Sequence, residues 1–171
     1  MEYTDYLNIN IRHKREFPCT SISQSREILR LGLHPLTADM YHEYLGTNVY
    51  SNTPKVRWYD SFDKDDIPAW SLFALIQLLP KNIIKIGYNL NEKYKNNSCQ
   101  FYLNILPYYK QQVAYEAYLD GEIYYLWKSN RDNLFINVID CIKWLVENEY
   151  IDKKYLKSYT NDLCDVKYEQ D

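Results

Sequence analysis

An Asp120-Gly121 pair joins two runs rich in aromatic and apolar residues, QQVAYEAYL (111–119) and EIYYLWK (122–128). A two-residue type I′ turn needs positive φ at both central positions. Asp and Gly tolerate that, which makes the dipeptide the strongest short hairpin signal. The turn dictates the pairing. Leu119 meets Glu122, Ala117 meets Tyr124 and Tyr115 meets Leu126 on one face. Tyr118 with Ile123, Glu116 with Tyr125 and Ala114 with Trp127 take the other. Trp127 is therefore expected on the face of Tyr118 and Tyr125. Both faces carry aromatics, so a core role and a ligand-facing role stand level for Trp127.

Helical periodicity supplies the rest of the fold. Leu134, Phe135, Val138, Ile139, Ile142, Leu145 and Val146 recur at i, i+3, i+4, i+7 spacing, with Asn137, Asp140, Lys143 and Glu147 opposite. This predicts an amphipathic helix over 132–149, capped by Asp132, with Trp144 beside its apolar stripe. Ser21 and Gln24 form a capping-box pattern before a helix over 22–31, and Gly32 is its stop. IPAWSLFALIQLLP (67–80) is nearly all apolar and bounded by prolines. It predicts a buried central helix over 68–79, with Pro68 in its first turn and Pro80 ending it. Thr37 is expected to cap one or two helical turns ending at Gly46. Residues 7–17 and 55–59 read as extended. The fold class is α+β: a small antiparallel sheet packed with about three helices. The chain is read as one domain over 1–171, with 152–171 as a frayed tail.

The same segments bound the function. The apolar run has about twelve residues, a helix of roughly 18 Å against a hydrocarbon core of ~30 Å, so it does not span a membrane. A net charge of −3 argues against a protein devoted to duplex DNA. Cysteines 19, 99, 141 and 164 have no CxxC spacing and read as reduced thiols. No signal-peptide core opens the chain. The glycines at 32, 46, 87 and 121 are isolated, so no phosphate-cradling glycine loop is present. GxSxG and HExxH motifs are absent as well. No cofactor or metal is expected.

A helix over 37–45 would put Asp39, His42 and Glu43 on one face, a weak metal or acid–base cluster. Aspartates 60, 63, 65 and 66 precede the apolar run, where helix-end charge accounts for them better than calcium. Tyrosine is the compositional outlier, 19 of 171 residues. Codon bias of an A/T-rich genome explains much of it, and an aromatic binding surface is the functional alternative. The candidate ligand-binding residues are Trp70, Ser71, Asp39, Tyr41, His42, Arg57, Tyr118, Tyr125 and Trp127. None is assigned a catalytic role.

CTSISQSREILRLGL with TADMY (37–41), then PAWSL (68–72) within the apolar run, then DCIKWLVENEYI resemble a family of small phage and prophage proteins of gut Bacteroidales. The resemblance covers most of residues 19–151. It departs at His34, where the family pattern has an acidic residue, and after residue 151. It implies a phage accessory protein acting in a bacterial cytoplasm. The favoured expectation is a counter-defence binding protein that sequesters a nucleotide-type signal or a host protein, with a homo-oligomer as a further expectation. The alternatives are a virion, assembly or regulatory protein, and a small metal-assisted hydrolase.

Overall fold

The computed structural model describes residues 19–57, 63, 65–86, 98–107 and 111–157. The extended segment expected at 7–17, Trp58, Asp60 and Cys164 lie outside them.

The fold is α+β, with antiparallel sheets and three α-helices among the described residues. Four strands form the main sheet in the order β6-β7-β8-β9: Asn82–Lys85, Cys99–Leu106, Gln112–Leu119 and Glu122–Ser129. Its inner face presents Ile83, Phe101, Tyr115 and Ala117 to the core, and α3 (Leu134–Glu147) lies across β8 and β9. Tyr115 is fully buried, and its hydroxyl donates to the Pro80 carbonyl at 2.7 Å. A buried phenol with a partner costs far less than an unpaired one.

A second sheet, order β4-β1-β5, joins Lys55–Val56, Met40–His42 and Ile67–Ala69. Strands β2 (Tyr44–Gly46) and β3 (Val49–Tyr50) form a small ribbon. Helix α1 (Ile22–Arg30) packs on β5. Its capping box is complete, with Ser21 Oγ accepting from Gln24 N and Gln24 Oε1 accepting from Ser21 N. Gly32, at φ +93°, carries the chain out of the helix in a conformation a Cβ disfavours.

One expected helix is replaced by strands, and another is shortened by one. After a single 3₁₀ turn at Pro35–Thr37, the chain extends into β1 instead of continuing to Gly46. His34 caps that turn, its Nδ1 accepting from Leu36 N at 3.1 Å. An acidic side chain at 34 could accept the same bond. The apolar run splits in the same way. Ile67–Ala69 is strand β5, and only Leu72–Gln77 is helical (α2). Pro68 sits opposite Tyr41 on an edge strand, where a missing N–H is tolerated. Pairing with β1 outweighs the local helical pattern. Helix α2 is not buried all round: Leu75 is enclosed, but Phe73 is 71% exposed.

Helix α3 is capped by Asn133 rather than Asp132, its side chain accepting from Ile136 N. Asn137, expected on the wet side, is fully buried. Its Oδ1 accepts from Ser129 Oγ and Arg131 N, and its Nδ2 donates to the carbonyls of Gln111 and Arg131. After the helix, Tyr155 and Lys157 bond back to His34 and Gly32, so residues up to 157 belong to the fold. No helix among the described residues is long and apolar enough to cross a membrane.

Candidate functional site

The CTSIS, TADMY and PAWSL segments meet at one place. Thr20, just ahead of α1, donates its N–H to the Trp70 carbonyl, and its hydroxyl accepts from Trp70 N at 3.0 Å. The Trp70 indole donates to Thr37 Oγ1 at 2.9 Å. Ser71, the N-cap of α2, donates its N–H and its hydroxyl to the two carboxylate oxygens of Asp39, and Ser71 Oγ accepts from Ala74 N. Trp70 is fully buried, so its ring is a core element with a satisfied N–H. The TADMY and PAWSL motifs bind each other across β1 and β5, with Tyr41 opposite Pro68.

The expected Asp39–His42–Glu43 face does not form, because β1 replaces the helix. Glu43 pairs with Lys55 at 2.7 Å, and Asp39 is committed to Ser71. His42 is buried between two backbone carbonyls, Nε2 at 2.9 Å from Thr20 O and Nδ1 at 3.2 Å from Ser51 O. Carbonyl oxygens only accept and a neutral imidazole carries one N–H, so the ring donates to one of the two carbonyls, as its tautomer dictates, and sits between α1's lead-in and the loop after β3. Ser71 thus has a carboxylate partner, while the nearby imidazole serves the backbone. Beside Ser71, the Cys19 thiol is pushed up to about 12 by burial and, second, by the charge of Asp39. Buried and protonated, it is a poor nucleophile.

The aspartate loop is also structural. Asp66 accepts from the backbone N–H of Tyr44 and of Asp63. No group of three His, Cys, Asp or Glu side chains suited to a metal occurs among the described residues. Arg57 reaches the carbonyls of Leu36 and Ala38, bracing the turn ahead of β1.

The hairpin residues separate. From Leu119–Glu122 to Glu116–Tyr125 the pairing is the one the turn dictates, with Asp120 and Gly121 at φ +52° and +86°. A β-bulge then shifts the register, so that Tyr115 faces Trp127 rather than Leu126, and Ala114 faces Lys128. One extra residue reverses the side of everything after it. Trp127 turns inward, away from Tyr118 and Tyr125, and stacks on Trp144 with centroids 5.7 Å apart and planes inclined 23°. Trp144 also meets Tyr115 and Tyr150.

Trp127 and Trp144 stay partly exposed and form the floor of an open groove of about 380 Å³ between the end of β9 and α3. Lys128, Arg131 and Lys143 stand around it with Asp140 and Glu147. Arg131 Nε meets Asp140 at 3.1 Å, and Lys143 pairs with Glu27. The outer face of the same sheet carries a different set. Ile84, Tyr102, Ile123 and Tyr125 are exposed, and Tyr118 is 72% exposed. Asn82, Tyr102, Glu116 and Tyr125 lie in one cross-strand row, and Tyr118 pairs with Ile123 one row on. Lys128 Nζ lies 4.3 Å from the Tyr125 ring centroid, a cation–π contact at the edge of this face.

Comparison with protein-family models, with curated proteins and with solved structures finds no match to this chain.

Of the nine candidate residues, Asp39, Tyr41, His42, Arg57, Trp70 and Ser71 are gathered around the β1–β5 pairing, where their contacts are internal. Trp127 lines the groove, and Tyr118 and Tyr125 lie on the outer face. The bulge that separates the last three has no local marker in EIYYLWK, and Arg131 and Lys143 gain interest only from the fold around them.

Proposed function

We propose that this chain is a phage accessory protein that blunts host defence by binding a host protein in the bacterial cytoplasm. The observation that carries the reading is the outer sheet face. Ile84, Tyr102, Tyr118 and Ile123 are all more than half exposed on one side of one sheet, with Tyr125 beside them. A cluster of large exposed apolar and aromatic side chains on one sheet face marks interaction sites more often than ordinary monomer surface. Tyrosine gives large contact area with few rotatable bonds, so ordering it on binding costs little. The phage-like resemblance supplies the context. The hydrolase alternative loses its motivating geometry, because Asp39, His42 and Glu43 are tied to separate partners.

The test has two steps. Tagged wild-type chain and a Tyr102→Ser/Tyr118→Ser variant are used to recover partners from host lysate. The recovered protein is then purified and its affinity for both forms is measured. A defence protein bound by the wild type and at least tenfold more weakly by the variant, roughly the loss of one hot-spot residue, supports the reading. Recovery that ignores the substitutions, or the chain found as a component of purified virions, overturns it. Light scattering on the isolated chain reports whether a second copy, rather than a host protein, covers this face.

A further inference from the structure

We propose that the groove between the end of β9 and α3 is a binding site for a nucleoside phosphate, separate from the outer face. Four observations converge there. First, Trp127 and Trp144 offer a pre-stacked, partly exposed aromatic surface held rigid by the packing of Trp144 on Tyr115 and Tyr150. A nucleobase stacks on such a surface with little sequence preference, because every base has a π-face. Second, two cations from different segments border it, Arg131 in the loop after β9 and Lys143 on α3, while Lys128 lines its edge with the ammonium turned over the Tyr125 ring.

Third, Arg131 is positioned rather than loose. Asp140 takes its Nε side at 3.1 Å. The backbone N–H and carbonyl of Arg131 are both bonded to the buried Asn137 side chain. An arginine anchored at its backbone and through Nε is a suitable fork for a phosphate. The pairs of Arg131 with Asp140 and Lys143 with Glu27 are solvent-exposed enough to exchange partners at small cost. Fourth, the volume, about 380 Å³, sits at the small end of ligand-site sizes and suits one nucleotide unit. The acidic members, Asp140 and Glu147, set the polarity: a ligand carrying both an aromatic ring and an anionic end is favoured over a bare anion.

The probe is AMP, with adenosine and inorganic phosphate as controls, followed by isothermal titration and by tryptophan fluorescence of the full chain. The expected result is micromolar binding of AMP with quenched fluorescence, and binding of each control at least roughly tenfold weaker. Arg131→Gln and Lys143→Gln are expected to weaken AMP at least roughly tenfold together and to flatten its salt dependence. Trp127→Ala is expected to abolish the quenching. Because that variant also removes packing, its fold is checked by circular dichroism, and the two cation variants carry the test if it fails to fold. The Tyr102→Ser/Tyr118→Ser variant is expected to bind AMP like wild type, which keeps this site's failure distinct from that of the outer face. No AMP binding below millimolar concentration overturns the proposal. Adenosine or phosphate binding as well as AMP, or AMP binding unaffected by the cation substitutions, overturns it equally.

Discussion

Ser71 and Asp39 are locked together by two hydrogen bonds, from Ser71 N at 2.8 Å and from Ser71 Oγ at 2.5 Å, one to each carboxylate oxygen. The same hydroxyl accepts from Ala74 N and so starts α2. The carboxylate therefore does two tasks: it joins the segment before β1 to the end of β5, and it orients the cap of a helix. Asp39→Ala is expected to lower unfolding free energy by about 1–2 kcal/mol, the usual range for a lost cap and charge-assisted hydrogen bonds. Asp39→Asn, which keeps one acceptor, recovers part of that. Urea titrations of the three proteins check the order. Equal stability of all three would show that the pair contributes nothing.

Asn137 gathers four hydrogen bonds in a fully buried position. Asn137→Leu leaves the carbonyls of Gln111 and Arg131 and two donors without this partner, at an expected cost of about 2–4 kcal/mol. Asn137→Asp is nearly the same shape, but turns a carboxylate oxygen toward two carbonyls. It is expected to be at least as damaging at neutral pH and to recover partly in acid, when the carboxyl can donate. Chemical denaturation at pH 7 and pH 4.5 separates these outcomes.

The His34 ring is held below its usual range, first by desolvation and then by the nearby cations Lys157 and Arg57. Its Nδ1 must also be unprotonated to accept from Leu36 N. The folded state therefore takes up the proton less readily than the unfolded chain. Stability contributed by neutral His34 is fully present above the unfolded value of about 6.5 and is lost as pH falls from there through the lower folded value. His34→Asp is expected to keep the cap and to remove this contribution to the acid-side slope. Thermal melts between pH 5 and 8 on both proteins measure the difference.

Cys19 lies at the other end of the pH scale. Its thiol is pushed up to about 12, mainly by burial. An unfolded thiol ionises near 9, so the unfolded chain sheds that proton first, and stability falls as pH rises from about 9. Cys19→Ala is expected to reduce the loss between pH 8.5 and 10.5. In the native protein, Cys19, Cys99 and Cys141 are buried and should resist a thiol reagent at pH 8, then react on unfolding. Peptide mapping after brief labelling reads each position, and rapid native labelling of Cys19 would contradict its enclosure.

What was legible in the sequence was what neighbours along the chain decide. The Ser21–Gln24 capping box, the Gly32 exit, the Asp120-Gly121 turn and the stripe of α3 depend on hydrogen bonds and periods within a few residues, and each appears in the fold. Long-range pairing decided the rest. IPAWSLFALIQLLP has the composition of a core helix, yet β1 takes its first residues as an edge strand, and Asp39 fixes where the helix can begin. Asp39, His42 and Glu43 would share a helical face. On an extended chain they diverge to Ser71, to two backbone carbonyls and to Lys55. The sharpest case is Trp127. Strand parity assigned it to the side of Tyr118 and Tyr125, and a bulge beyond Tyr125 moved it to the other. Side chains alternate every residue along a strand, so a single extra residue reverses the assignment. Local pattern states which positions differ in face, and the register set by partner strands and by α3 decides which face is the core.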